Sequence, residues 1–594
     1  MRLRIILLFA ACILGHAVAT ERSLPDWRVE PPGGGPAGAS PRSYPDAEGF
    51  SARAKLVVEN LAKEDLKRWR TGYFAGGDPS RYLPPAAMAK LILDPEDAVA
   101  REYLNDRRSP TEHEAGAAVN WARLVPLFPL ALEATTLREF SARAAGAGYL
   151  TGGGSETQVV MLRAAALVLV DHLDGEHFAG RTRATARSES KSWFKRWIKE
   201  LYATGPVDWD CPQHLVFVLN SLLNIYDFSK DADCRLFARA GLDRLVADYA
   251  LKYTDAVYAG PHLRGTASVG LRSLTDQTGW LWWGAEAAPS PAQAAEFRHT
   301  IHAQTSAWRP NQVLTNLARK HLPGLPVEHR AIKAASDAGR ATSTAGWNET
   351  ICTSASFTLG SVVRSASGGT VPSDRFQLAV RSAAGTLTFT AGTSQADDDG
   401  RYDQTAQIGS ALIRLVRLPN DAAYAYFALP ASLAADAPPV LDNHWWILKA
   451  GSTWVGVRGL SGAGSLGEHE IPGAGRSAGV IPALKFPGKI GGFVLMVGES
   501  TAYADRAAFA AALAKTGFTT DPGVAFTGLD GKAVTVRWQD AGPGPTVTID
   551  GATRPALRGI ISGPLIRCDE SVLSVSDGKD GFLVDVSGDL PVYR

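Results

Sequence analysis

The hydrophobic period of this chain changes near residue 345, and that change constrains the fold more than anything else in the sequence. Before it, apolar residues recur at three- and four-residue spacing over 52–69, 86–93, 96–104, 115–125 and 137–145, the repeat of amphipathic helices. After it come short β-branched and aromatic runs, such as Phe376-Gln377-Leu378-Ala379-Val380, Leu387-Thr388-Phe389-Thr390 and Trp454-Val455-Gly456-Val457, separated by Gly, Asp and Pro turns. Such runs read as antiparallel strands. A segment patterned for one period does not bury its apolar face in the other. The expectation is an α+β multidomain chain with a helical part over 46–340 and an antiparallel β-sandwich over 345–594. A length of 594 residues exceeds what one core supports. The tail from about 523 resumes strands and could form a small separate layer.

Within the helical part, breaks fall at Gly76-Gly77-Asp78-Pro79 and Gly152-Gly153-Gly154. After the second break, Ser155-Glu156-Thr157-Gln158 has the spacing of a capping box and opens an apolar helix through 173. The run 212–228 is apolar almost all round, as a helix covered on every side should be. The run 231–249 is more amphipathic, which predicts an outer helix. This alternation predicts antiparallel helix pairs forming a toroid, or incomplete helical barrel. Further helices are expected over 292–307, 311–320 and, inserted among the strands, 502–515.

The first residues, Met1-Arg2-Leu3-Arg4 followed by an apolar stretch to Leu14 and then Ala17-Val18-Ala19, fit a cleaved secretory signal over 1–19. A Pro/Gly-rich flexible lead over 20–45 follows. The expected location is therefore secreted or periplasmic. The apolar stretch is too short to span a bilayer and no later run is long enough, so no membrane span is expected. Net charge is +1, and no basic run interleaves with aromatics, so nucleic acid is not an expected partner. Cys211, Cys234, Cys352 and Cys568 have no metal-ligand spacing; a bridge between Cys211 and Cys234 and buried free thiols are the two readings. His113-Glu114 lacks the second histidine of a zinc protease. No metal site and no cofactor are indicated; a structural divalent metal in the β-sandwich is the alternative, with no ligand cluster to announce it.

The residues of chemical interest gather between 208 and 284. They are Asp208-Trp209-Asp210-Cys211-Pro212-Gln213-His214 with Asn220 to Phe228 after it, Gly260-Pro261-His262-Leu263-Arg264, and Trp280-Leu281-Trp282-Trp283-Gly284. These segments resemble the exported α/α-toroid polysaccharide lyases acting on uronate polymers such as alginate and glucuronan, with the heparinase II/III-like group nearby. Phe357-Thr358-Leu359-Gly360-Ser361 resembles an early sandwich strand of the same proteins. The resemblance implies β-elimination on an acidic polysaccharide. That reaction must neutralise a uronate carboxylate, remove the proton on C5 and protonate the departing O4.

On that footing His214 is the expected base, near the positive end of a helix that disfavours the imidazolium; the alternative is a histidine packed at a helix end. Arg264, and after it Gln158, are the expected carboxylate neutralisers, set against a surface salt bridge and a plain capping box. His262 is an expected helper. The relatives place a Tyr within a few residues of the loop arginine and an Asn, often followed by His, at the start of the helix at 157–158. Here Gly265-Thr266-Ala267-Ser268 and Thr157-Gln158 stand instead. The general acid is therefore unassigned, with Tyr258 and Tyr226 as substitutes. Trp209, Gln213, Trp280, Trp283 and Asn120 are expected in the sugar groove, with Trp282, Trp121, Tyr73, Phe74 and, from the sandwich, His444 as weaker candidates. Two rivals remain. A glycoside hydrolase would need two carboxylates across the bond, from Glu156 with Asp208 or Asp210. A glycan-binding protein without catalysis is the other.

Overall fold

The computed structural model describes residues 46–67, 79–106, 113–263, 273–337, 340–364, 375–395, 402–471, 479–520, 523–540, 544–557 and 559–594. The expected signal (1–19) and lead (20–45), with Tyr73, Phe74 and Arg264, lie outside the described residues.

Helices come first: α1 (Ala47–Leu61), α2 (Pro79–Tyr82), α3 (Pro84–Leu93), α4 (Ala98–Asn105), α5 (Ala115–Leu127) and α6 (Ala134–Ala144). They continue as α7 (Glu156–His172), α8 (Arg183–Thr204), α9 (Leu215–Phe228), α10 (Ala232–Lys252) and α11 (Leu274–Trp283). The single helix expected over 292–307 is broken into Pro291–Ala294, Arg298–Thr300 and Ile301–Thr305, and α12 (Gln312–Arg319) closes the helical part. Helices α5, α7 and α9 pack on one another, with α8 and α10 outside them. Every residue of α9 is buried, in keeping with a surface that is apolar almost all round; its polar residues Asn220, Asn224 and Asp227 are bonded inside the protein. Arg123 of α5 is fully buried and ion-pairs with Asp227 of α9 at 2.8 Å, and its Nε donates to Thr305. Lone charges are not tolerated there, so the pair fixes the two helices in register.

The amphipathic pattern of α10 does not mark a solvent face. Nearly all of it from Cys234 to Lys252 is buried, because the β part covers its polar stripe. The Arg239 guanidinium stacks 3.9 Å from the Tyr593 ring centroid, Asp243 accepts from the Tyr593 hydroxyl at 3.0 Å, and Asp248 and Lys252 meet Lys333 and Glu349.

The first long strand, Val327–Asp337, starts before the helical part was expected to end, and pairs with Arg340–Thr353. Among the described residues, a thirteen-stranded antiparallel sheet runs from Ser465–Ile471 at one edge, through these two strands, to Val592–Tyr593 at the other. A six-stranded antiparallel sheet packs on it. Phe357, Leu359 and Phe427 of the first sheet interdigitate with Leu412, Val457 and Leu495 of the second. The tail divides in two. Strands between Val524 and Thr553 form a four-stranded layer that packs with the helix Arg506–Ala514 over the far face of the six-stranded sheet. The strands from Ile561 onward extend the large sheet and bury Ile566 and Leu573 in the core of the helical part. Cys211, Cys234, Cys352 and Cys568 are buried and free, so the bridge considered for the first two is not formed. No helix among the described residues is long and apolar enough to cross a membrane.

Candidate active site

Helices α5, α7 and α9 bring their N-terminal ends to one place, walled on one side by α2. Between them lies a cavity of about 550 Å³ lined by Arg81, Glu114, Gly116, Gln158, Met161, His214 and Phe217, with Ala115, Gly154, Ser155 and Thr157. The first turn of a helix carries N–H groups without intrahelical partners and the positive end of the helix dipole. The first-turn N–H groups of Thr157, Gln158, Leu215 and Phe217 are bonded to Asp208, Ser155, Cys211 and His214, so what three such ends give the cavity is the positive end of three dipoles, which favours an anion there.

The α7 end is built by its capping box. Ser155 Oγ accepts from the Gln158 N–H at 3.4 Å, and Gln158 Oε1 accepts from the Ser155 N–H at 3.0 Å. The amide carbonyl is thereby committed, which leaves the NH2 as the donor that a ligand can meet. Gly154 at φ 124° makes room for this, since a Cβ would stand 2.0 Å from Gln158 Oε1.

His214 is the N-cap residue of α9, which starts three residues after Pro212. Its N–H and that of Leu215 both donate to the Cys211 carbonyl, at 2.9 and 3.0 Å. The segment 207–214 that presents it is tied down along its length. Glu156 accepts from the Val207 and Asp208 N–H groups at 2.6 and 3.0 Å. Asp208 accepts from the Thr157 N–H and hydroxyl at 3.2 and 3.0 Å. Trp209 Nε1 donates to the Ala334 carbonyl at 3.3 Å. The Pro212 carbonyl accepts from the Ser273 hydroxyl at 2.7 Å. His214 and Gln158, both singled out in the sequence, thus share one cavity through a mutual clasp between the start of α7 and this segment.

Arg81 was missed. Its guanidinium carbon lies 4.5 Å from the Phe217 ring centroid and 5.3 Å from that of Tyr82. Its stem passes over Gly116, where a Cβ would meet Arg81 Cδ at 2.8 Å. Among the described residues it has no ion pair, and its Nε is buried without a hydrogen-bond partner. Nothing local in Pro79-Ser80-Arg81-Tyr82 marks it, because its place depends on packing against α5 and α9. Behind it His299 is buried against Phe217 and Tyr82. Burial, then the charges of Arg81 and Arg298, push that imidazole down to about 3, so it stays neutral.

The remaining candidates lie elsewhere. Asn120 is fully buried, and its Nδ2 donates to the Arg81 carbonyl at 2.9 Å; it braces Arg81 rather than reaching a sugar. Trp209 is fully buried with Cys211, Leu263, Trp347 and Val362. Trp280 and Trp283 are 2% exposed. Trp283 packs 5.0 Å from Tyr249 and 4.9 Å from Tyr253, and Trp280 lies 5.5 Å from Phe297. These tryptophans are core because α11 is clamped by neighbours on every side; Trp282, Trp121 and Tyr226 are buried too. Gln213 is half-buried and accepts from the Leu274 N–H at 3.3 Å, and does not line the cavity. His262 is fully buried with Nε2 on the Tyr258 carbonyl at 2.9 Å, and burial pushes it down to about 4. The Tyr258 hydroxyl donates to Asp210 at 2.5 Å inside the seam between helices and sheet. Neither residue lines the cavity. His444 is exposed on a turn of the six-stranded sheet. The carboxylates that a hydrolase would need are engaged as well: Glu156 and Asp208 in the clasp, Asp210 with Lys252 at 2.7 Å and Lys333 at 3.0 Å. Among the described lining residues Glu114 is the one carboxylate.

No protein-family model matches the chain, and no curated protein matches it. Among solved structures it is similar to the Streptomyces coelicolor A3 chondroitin AC lyase in complex with chondroitin sulphate, at 12% identity, with a TM-score of 0.42 and 92% of each chain covered.

Proposed function

We propose that this chain is an exported polysaccharide lyase that cleaves a uronate-containing glycan by β-elimination, with its helical part an incomplete α/α toroid. One observation carries the reading: His214 and Gln158 line a single cavity at which three helix N-termini converge with Arg81, which has no ion pair among the described residues. A cavity of that make-up favours a carboxylate and sets an imidazole beside it.

In this reading the uronate carboxylate sits between Arg81, the Gln158 NH2 and the helix ends. That neutralises the charge that grows on it as the C5–H bond breaks. The His214 imidazole takes the C5 proton. The electron pair left on C5 forms the C4–C5 double bond as the C4–O4 bond breaks, and O4 takes up a proton. Where the C5 proton and O4 lie on one side of the ring, protonated His214 can return that proton to O4. The tyrosine expected as acid has no counterpart among the described lining residues.

The test is ultraviolet absorbance of a double bond conjugated to a carboxylate, followed on alginate, glucuronan, hyaluronan, chondroitin and heparan-type polymers. A rise that vanishes in His214→Ala is the expected result and identifies the polymer. New reducing ends without that absorbance would replace the reading with hydrolysis. Polymer binding without either signal would replace it with a glycan-binding protein.

A further inference from the structure

Where α10 meets the large sheet, five charged side chains are packed together out of water. Lys252 Nζ lies 2.7 Å from Asp210, 3.3 Å from Asp248 and 2.8 Å from Glu349. Lys333 Nζ lies 3.0, 3.3 and 3.1 Å from the same three carboxylates. All five residues are less than 9% exposed, Lys252 not at all. The Tyr258 hydroxyl adds a 2.5 Å hydrogen bond to the other oxygen of Asp210. Asp210 also holds a left-handed backbone at φ 48°, which a residue other than glycine adopts only when its surroundings impose it.

We propose that Asp210 is the positioning residue for His214, and that the cluster gripping it carries one exchangeable proton whose loss slackens the segment 207–214. The β part is then a working part of the active site rather than an appendage. The proposal rests on His214 being the base.

Two ammonium groups lie within 3.3 Å of three carboxylates, with Arg244 a further cation toward Asp248. The Asp210 and Glu349 carboxyl groups lie within hydrogen-bonding reach of each other, a contact that two ionised carboxylates cannot make without a proton between them. One proton held there satisfies it, and the set titrates as a unit. Glu349 is the residue that carries it. Burial outweighs the two lysines there and pushes its carboxyl up to about 8. Burial also acts on Asp210 and Asp248, but Lys252 and Lys333 prevail and hold both below the usual range. The other titratable and charged groups facing the cluster are Arg244 of α10 and Cys568, both toward Asp248, with His329 beyond. His262 lies toward Asp210 and stays neutral near neutral pH.

An unfolded glutamate loses its proton near pH 4.5, whereas folded Glu349 keeps it to about 8. The folded chain therefore binds the extra proton across that window. The stability this supplies is complete below about pH 4.5, declines as pH rises, and is spent above about pH 8. Through Asp210, four residues ahead of His214, the same deprotonation is felt in the cavity.

The experiment uses the full chain with its histidines isotopically labelled. The His214 resonance, assigned by its absence in His214→Gln, is followed from pH 5 to 9.5 beside the melting temperature and the pH profile of elimination. Wild type is expected to show a second displacement of that resonance near pH 8. Its melting temperature should fall by several degrees between pH 5 and 8.5, and the alkaline side of its rate profile should break at the same pH. Glu349→Gln, which fixes the protonated shape, is expected to lose all three. Asp210→Asn is expected to lower kcat at least tenfold with KM changed less than threefold, at a temperature where it is folded. A Glu349→Gln chain with the wild-type displacement and melting slope would overturn the shared proton. An Asp210→Asn chain with unchanged His214 resonance and kcat would overturn the positioning role. If wild type cleaves no uronate polymer, the proposed function falls. The resonance and melting arms then still decide the cluster.

Discussion

The cavity and the seam between helices and sheet draw on the same eight-residue segment and use the same kinds of polar groups, yet they treat them in opposite ways. At the seam Asp210, Asp248, Glu349, Lys252 and Lys333 are buried and each ion-paired within 3.3 Å. In the cavity, Arg81 has no ion pair among the described residues, and the Gln158 carbonyl is tied so that its NH2 remains. A polar group that has spent its capacity inside the protein stabilises the fold; one held in place with capacity left over is set for a ligand. The contrast can be tested at each end.

The largest effect is expected at His214. Loss of a general base lowers kcat/KM by about 10²–10⁴-fold. The side chain makes no capping hydrogen bond to α9, so His214→Ala is expected to melt within a few degrees of wild type. Absorbance kinetics and a thermal melt on the same preparation check this. A melt that falls in step with the rate would put His214 with the seam. Lys252→Met should do the reverse. It leaves Asp210 and Glu349 short of a partner in a dry site and is expected to cost about 3–5 kcal/mol, read as a lower urea midpoint at unchanged slope. A loss below about 1 kcal/mol would mean that water reaches the seam.

Arg81 lies between these in size. For Arg81→Gln, KM for an acidic oligosaccharide is expected to rise about 10–100-fold, equivalent to roughly 1.4–2.7 kcal/mol. Stability should stay within about 0.5 kcal/mol, because no ion pair among the described residues is broken. Arg81→Lys should recover part of the affinity, since the charge returns without the planar face that stacks on Phe217. Equal KM in all three proteins, from initial rates at fixed ionic strength, would remove Arg81 from the cavity's chemistry.

What the sequence made legible follows the range of the physics involved. The capping box at Ser155 and Gln158 and the almost wholly apolar α9 are local patterns with counterparts in the fold, and the change of period read near 345 has strands on its far side, the first of which already starts at Val327. His214 could be placed because a helix start lies within a few residues of it. Arg81, Glu349 and Lys333 could not be, since their partners are tens to more than a hundred residues away and chosen by packing. The same limit explains the tryptophans: Trp280 and Trp283 look alike in a core or a groove until Tyr249, Tyr253 and Phe297 are seen around them. It also explains α10, whose charged stripe has the spacing of a solvent face and is instead covered by a sheet drawn from the other half of the chain.

The smallest effect divides the contrast within one residue, because Gln158 belongs to both kinds of assembly. Its carbonyl caps α7 through Ser155, which leaves its NH2 outside the cap on a residue that lines the cavity. Gln158→Ala removes both, and the lost cap should cost about 0.5–1 kcal/mol with a modest loss of rate. Gln158→Glu separates them. Glutamate suits the third position of a capping box and the positive end of a helix, so the melting temperature is expected to hold or rise slightly. The cavity, however, gains a negative charge where a uronate carboxylate is to sit. KM for the acidic substrate should then rise severalfold, and the rise should shrink as salt screens the repulsion. A Gln158→Glu chain that is as stable as wild type and binds acidic glycan equally well would leave Gln158 a cap alone, and the anion would have to be held by Arg81 and the helix ends without it.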